Sequence, residues 1–230
     1  MSMEPEIAVT TTRKAIVLGA TGLIGNHVLQ ALLHDPHYTQ VTILVRSRFL
    51  QTHRKLRVIE TDFNDLEEAL KSTSASDVFC CLGTTIKKAG SQEAFRAVDY
   101  SLVVKIAQMM KENGAGQVLV ISAMGANSSS TIFYNRVKGE MEEAVKSIGY
   151  QSVKILRPSL LLGHRKEFRL AERIGVWLSP LIKILLVGSL KTYAPIEAEK
   201  VARFMVKVAI EGMDGVQVYE SEEISKYVIS

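Results

Sequence analysis

The stretch Lys14-Ala15-Ile16-Val17-Leu18-Gly19-Ala20-Thr21-Gly22-Leu23-Ile24-Gly25 decides the fold. A short apolar run leads into three glycines spaced Gly-x-x-Gly-x-x-Gly, and an amphipathic pattern continues to His34. That is a strand, a tight turn and a helix start. Gly19 permits the turn, Gly22 lets the backbone approach a pyrophosphate, and Gly25 lets the helix pack closely on the strand. A helix N-terminus at Thr21–Gly25 presents free N–H groups and a positive dipole end to an anion. Thr21, Leu23 and Ile24 complete this candidate phosphate loop. The competing reading is an ordinary glycine turn, which needs no ligand. The strand-turn-helix context favours the binding loop.

Outward from this stretch, short apolar runs alternate with helical patterns. The strand candidates are Lys14–Leu18, Val41–Arg46, Leu56–Glu60, Asp77–Cys81, Gln117–Ile121 and Ser152–Arg157. Leu23–His34, Leu66–Lys71, Gln92–Asn113 and Thr131–Ile148 carry apolar residues at helical spacing, and so does Glu197–Ile210. This rhythm predicts an α/β protein: a Rossmann-type, doubly wound parallel sheet with helices on both faces. Strands covered on both sides fit the nearly continuous hydrophobicity of VTILV and VLVIS. The 230 residues are expected to form one NAD(P)-binding domain, with 164–195 as a substrate-side insertion or interface segment and a small C-terminal lobe.

Composition excludes several classes. With 47% hydrophobic and 23% charged residues the balance is that of a globular protein, and a net charge of +4 is too diffuse to argue for nucleic acid. The only cysteines, Cys80 and Cys81, are strand neighbours pointing to opposite faces, so they read as small core hydrophobes in a reducing compartment. No pattern suggests a metal site. Met1–Thr12 lacks a basic segment followed by an apolar one, and Ile174–Leu190 is broken by Ser179, Pro180, Lys183 and Gly188. Neither a secretory signal nor a membrane span is expected, which makes the cytoplasm the default location.

The second strand bears on the nucleotide. Folds preferring NAD usually end it in a carboxylate that holds the ribose 2′-hydroxyl. Here it ends in Arg46, with Arg48, His53, Arg54, Lys55 and Arg57 behind. A guanidinium binds a 2′-phosphate with paired hydrogen bonds, so NADP(H) is expected. The residues after Arg46 also read as a solvated loop. After the third strand, Asp62 and Phe63 are placed to meet the adenine, although Asp62 equally suits a helix cap.

Ser122 ends the strand QVLVI, and Tyr134 and Lys138 follow four apart on one helix face. Reducing a carbonyl needs a hydride and a proton for the developing alkoxide. Tyrosine, with an ordinary pKa near 10, needs help to exchange that proton. A lysine ammonium favours the phenolate and can hold a ribose, and a serine hydroxyl can polarise the carbonyl. Tyr-x-x-x-Lys alone is common on exposed helices; its place after the glycine loop and the Ser122 strand favours catalysis.

With these pieces in order, the sequence resembles the short-chain dehydrogenase/reductase superfamily in its atypical branch, most like the Tat-interactive-protein-type oxidoreductases and their small bacterial relatives. GATGLIG, DVFCCLGTTIKKAG, FRAVDY, VLVISAMGA, FYNRVKGEME and ILRPSLLLG carry the resemblance from about Lys14 to Arg165. It implies pyrophosphate contact at Gly19, Gly22 and Gly25, 2′-phosphate contact at Arg46, and ribose contact at Leu82, Gly83 and Thr84. It implies catalysis by Ser122, Tyr134 and Lys138, and backbone contact with the nicotinamide carboxamide at Pro158 to Leu160. Two features depart from the family. Asp99 stands where an Asn often serves a proton relay, and Cys81-Leu82-Gly83 replaces the usual Asn-Ala-Gly run.

The leading expectation is therefore an NADPH-dependent reductase of a small-molecule carbonyl or related polar double bond. The alternative is an NADP(H)-binding regulatory or redox-sensing protein acting through a protein partner, and a homodimer is a further possibility. Substrate choice is assigned to His164–Pro195, where Phe168 and Trp177 serve either as ligand contacts or as core.

Overall fold

The computed structural model describes residues 12–163 and 194–228. Seven strands form one sheet: β1 (Arg13–Leu18), β2 (Tyr38–Val45), β3 (Leu56–Glu60), β4 (Asp77–Cys80), β5 (Gln117–Ile121), β6 (Ser152–Arg157) and β9 (Gly215–Glu220). Their spatial order is β3-β2-β1-β4-β5-β6-β9 and every pairing is parallel. The order reverses between β1 and β4, and ligands in such sheets bind outside the carboxyl ends of the strands at that point. A separate two-stranded parallel sheet joins β7 (Leu161–Leu162) to β8 (Ile196–Glu197).

Helices cover both faces. On one, α1 (Leu23–His34) and α7 (Ala198–Ile210) pack with Val17, Ile43, Phe79 and Leu119. The apolar positions Ile24, Val28, Leu29, Leu32 and Leu33 fall at helical spacing and are buried on the same α1 stripe. On the other, α5 (Val103–Glu112) and α6 (Phe133–Ser147) pack with Ile16, Leu18, Val78 and Val120. Each fully buried aliphatic side chain is worth about 1.5–3 kcal/mol of transfer free energy, which is why Val, Ile and Leu recur in the central strands β1, β5 and β6.

The expected strands are all present, with ends shifted by at most three residues. Two differences matter. The expected long helix Gln92–Asn113 divides into α4 (Gln92–Arg96), a π-helical turn (Ala97–Leu102) and α5. The C-terminal region, read only as far as Ile210, supplies the seventh strand β9 and helix α8 (Ser221–Lys226). The remaining helices are α2 (Leu66–Leu70) and α3 (Ile86–Ala89). Cys80 and Cys81 are unpaired thiols on opposite faces, each packed in a different apolar cluster. Burial raises the Cys80 thiol to about 11 and Cys81 well above its ordinary value. The expectations for His164, Phe168, Trp177 and Ile174–Leu190 lie outside the described residues.

Candidate functional site

The glycine turn sits at the switch point. Gly19 has φ +76°, and a Cβ there would lie 2.6 Å from the Cys81 carbonyl oxygen, so the turn rests directly on the end of β4. A Cβ on Gly25 would lie 2.1 Å from the Gly19 carbonyl oxygen. Gly22 donates its N–H to that same oxygen at 2.8 Å and is the N-cap of α1, with no side chain capping the helix. The first turn of α1 therefore keeps N–H groups for an external acceptor. Thr21 and Gly22 are exposed while Ile24 and Gly25 are buried. The residues present thus fit a dinucleotide pyrophosphate.

Arg46 follows β2 immediately and is exposed, with no hydrogen bond or ion pair among the described residues. Asp62 does not cap α2. Its carboxylate accepts from the Asn64 N–H (2.9 Å) and from Asn64 Nδ2 (2.7 Å), closing a local turn. The Asn64 N–H first, then its side-chain amide, lower the Asp62 pKa. Phe63 has φ +72°, unusual for a residue with a side chain, and its N–H donates to Thr61 Oγ1. Its ring packs on the second apolar cluster. The strained turn is the feature at this strand end that residue types alone do not announce.

Across the switch point, Leu82, Gly83 and Thr84 follow β4. The Thr84 N–H donates to Asp99 Oδ2 at 2.9 Å, and Asp99 Oδ1 lies 2.7 Å from Lys138 Nζ. Asp99 is fully buried in the π-helical turn, and the Lys138 side chain is only 4% exposed. Asp99 Oδ1 receives no well-directed hydrogen bond, so its contact with Lys138 is an ion pair. Lys138 Nζ also lies 3.4 Å from the Ile121 carbonyl oxygen, and about the distance of a van der Waals contact, 4.0 Å, from where a Gly83 Cβ would stand. π-helical turns concentrate at functional sites, and this one places a carboxylate against the lysine of the Tyr-x-x-x-Lys pair.

Tyr134 and Lys138 share a face of α6, as their spacing requires. The Tyr134 ring packs on Phe95, with centroids 5.3 Å apart, and Phe95 also meets Phe133. Ser122 departs from expectation. Its hydroxyl donates to Glu142 Oε1 at 2.5 Å, and among the described residues no hydrogen bond joins it to Tyr134. Glu142, one further helical turn along α6 from Lys138, is buried and accepts Arg157 Nε at 3.0 Å and Arg157 Nη2 at 2.6 Å. The Ser122 hydroxyl proton is thus directed at Glu142. Residue order suggested Ser122 as the polarising group, but order does not reveal which way a hydroxyl points. Glu142 and Arg157 were missed by the sequence reading, although Tyr134, Lys138 and Glu142 recur every four residues.

Pro158 to Leu160 follow β6. The Pro158 carbonyl accepts from the Met124 N–H, the Ser159 N–H donates to Ser221 Oγ, and the Leu160 carbonyl accepts from the Ile196 N–H. Among the described residues no group of three or more His, Cys, Asp or Glu side chains could hold a metal, and no helix is long and apolar enough to cross a membrane.

Comparison with known proteins places these features in a class. The chain belongs to the NAD(P)H-binding family, whose sequence profile matches residues 19–165. Within that class it groups with atypical short-chain dehydrogenases/reductases. It is 36% identical over 209 residues to the mitochondrial protein FMP52 of Candida albicans, covering 86% of this chain and 89% of that one. It is 33% identical over 171 residues to the protein HTATIP2 of Rattus norvegicus, covering 73% and 69%. Among solved structures, the Bordetella bronchiseptica enzyme WbmH in complex with NAD+ matches with a TM-score of 0.68 at 14% identity, covering 91% of this chain and 76% of that one. A short chain dehydrogenase family protein from Francisella tularensis matches at 0.65 and 13% identity, covering 94% and 100%. These structural likenesses establish the fold.

Proposed function

We propose that the protein is an NADPH-dependent oxidoreductase that reduces a carbonyl or a related polar double bond, with Tyr134 as the proton donor. The supporting observation is the position of Lys138, fixed by Asp99 beside Gly83 and Thr84 on the same α6 face as Tyr134. The bound dinucleotide supplies the hydride. Gly19, Thr21, Gly22, Leu23, Ile24 and Gly25 hold its pyrophosphate, Arg46 its 2′-phosphate, and Asp62 and Phe63 its adenine end. Leu82, Gly83, Thr84 and Lys138 hold the nicotinamide ribose, and Pro158 and Leu160 the carboxamide. Tyr134 gives its phenolic proton to the oxygen that gains charge, and the ammonium of Lys138 favours the phenolate left behind. Asp99 balances part of that charge, which assigns Lys138 more to ribose holding than to acidifying Tyr134. Phe95 keeps the tyrosine ring in place.

Tyr134→Phe tests the reading. NADPH affinity should be nearly unchanged, and reduction across a broad carbonyl panel should fall by roughly 10²-fold or more, the usual share of a positioned acid. A second reading is favoured by the Ser122–Glu142 hydrogen bond, which directs one expected catalytic donor at a carboxylate. In it, the protein binds NADP(H) and reports its redox state to a protein partner. NADPH binding that alters a partner's affinity, with no carbonyl in the panel reduced, would decide for that alternative.

A further inference from the structure

Four side chains link the carboxyl ends of three strands to α6. Ser122, just past β5, donates to Glu142 on α6; Glu142 accepts two hydrogen bonds from Arg157, the last residue of β6. Arg157 Nη1 reaches Glu220, the last residue of β9, at 2.9 Å. Hydrogen bonding to Glu142 first, and to Glu220, holds the Arg157 pKa above its ordinary value. Glu142 is 1% exposed and Ser122 4%, so neither carboxylate nor hydroxyl is there for solvent. The backbone runs in parallel with this chain: the Ser122 N–H donates to the Leu156 carbonyl at 2.8 Å, and the Met124 N–H to the Pro158 carbonyl at 3.1 Å.

We infer that Ser122, Glu142 and Arg157 form a positioning network that fixes the Pro158–Leu160 turn relative to the helix bearing Tyr134 and Lys138, with Ser122 acting through Glu142 and not on the substrate. The reason is geometric. Arg157 is covalently next to Pro158, and its guanidinium is held in two hydrogen bonds by a carboxylate that is itself eight residues along α6 from Tyr134. Two parallel N–H···O bonds set both distance and orientation. A shift of Glu142 therefore moves the turn and the α6 face together. A buried carboxylate left one bond short relaxes toward other donors, so deleting the Ser122 hydroxyl loosens the same pair. This deepens the proposed cofactor site and rests on that reading for the role of the turn.

The test uses the full chain with NADPH as the probe, in Ser122→Ala, Glu142→Gln and the double variant, measuring NADPH Kd by calorimetry beside kcat on any carbonyl the wild type reduces. Positioning predicts that Ser122→Ala alone weakens NADPH roughly 3- to 10-fold. It predicts a fall in kcat smaller than 10-fold, and a double variant no weaker than Glu142→Gln. A Ser122→Ala variant with unchanged Kd overturns the inference, and so does a double variant whose losses multiply. A kcat loss of 10²-fold or more at unchanged Kd would make Ser122 a direct donor. If Glu142→Gln fails to fold, Ser122→Ala decides alone, since removing one hydroxyl oxygen leaves the Glu142–Arg157 pair. If the wild type reduces nothing, the Kd comparison still decides the network while the catalytic reading fails separately.

Discussion

Arg46 and Asp62 stand just past the ends of the adjacent strands β2 and β3, and they differ in how their side chains are held. The guanidinium of Arg46 is exposed and unengaged among the described residues, whereas the Asp62 carboxylate is already occupied by Asn64. Replacing Arg46 with Ala should weaken NADPH by roughly 1.5–3 kcal/mol, the scale of hydrogen bonds to charged groups, and leave NADH almost unchanged. Equal losses for both cofactors in calorimetry would remove Arg46 from the 2′-phosphate. The Asp99–Lys138 pair is a different case, because both groups are almost wholly buried. Asp99→Asn strands an ammonium without a counter-charge and should cost about 3–5 kcal/mol in denaturant unfolding. Adding Lys138→Met should recover much of that loss. A double variant no more stable than Asp99→Asn would show that the pair is not coupled. Residue identity made Arg46, Tyr134, Lys138 and Asp99 legible as candidates. The partner of Asp99, and the direction of the Ser122 proton, depend on side-chain torsions that spacing does not encode.

At the scale of elements, the glycine turn and α1 are set by contact and not by propensity. A Gly25→Ala methyl would meet the Gly19 carbonyl at 2.1 Å, a distance only backbone displacement relieves. We expect this variant to lose about 1–3 kcal/mol of stability, the usual cost of overpacking, and most of its NADPH affinity. A crystal structure with an undisturbed turn and unaltered binding would contradict that. Strands buried on both sides and α1 were readable because burial imposes a clear pattern: Ala15, Ile16, Val17 and Leu18 are all essentially inaccessible. β9 was not readable. Its sequence GVQVYE is half exposed at a sheet edge, so no run or strict alternation marks it. The π-helical turn was hidden for another reason. It keeps helical spacing on either side, and one inserted residue changes which side chain faces Lys138.

Across the whole molecule the sheet has two chemically different ends. Its carboxyl ends hold the candidate site, and its opposite end carries a buried polar cluster. Arg13 pairs with Asp77, Gln117 donates to Asp77 and to the Ala209 carbonyl, and Ser152 donates to Gln117. Next to that cluster in the sheet, Lys154 is fully buried and its Nζ has no hydrogen-bond partner among the described residues. Burial lowers the Lys154 pKa, partly offset by Glu211. A lysine with a depressed folded pKa contributes least below that value and regains its full contribution above the unfolded value near 10.4. Lys154→Met should therefore be about 1–2 kcal/mol more stable than wild type at neutral pH, where a buried charge is replaced by an apolar chain of similar length. The advantage should shrink as pH rises toward the unfolded lysine value. Comparing variant with wild type cancels the opposite alkaline drift expected from the raised Cys80 thiol. Thermal melts showing a pH-independent difference would mean that Lys154 titrates alike in the folded and unfolded protein.

The pairing of β6 with β9 also sets a timetable. Arg157 ends β6 and Gly215 begins β9, and α7, which covers the α1 face of the core, lies between them. At 5–20 residues per second a ribosome needs about 3–12 s to travel from one strand to the other. Until α7 follows, the nascent chain holds six strands with α1 alone on that face, so the part that α7 covers over β5 and β6, Leu119 and Leu156 among it, stays bare. Such a surface is what holdase chaperones bind and what neighbouring chains on a polysome stick to. The protein's yield in a cell should thus depend on what shelters that face during synthesis, even where the finished fold is stable.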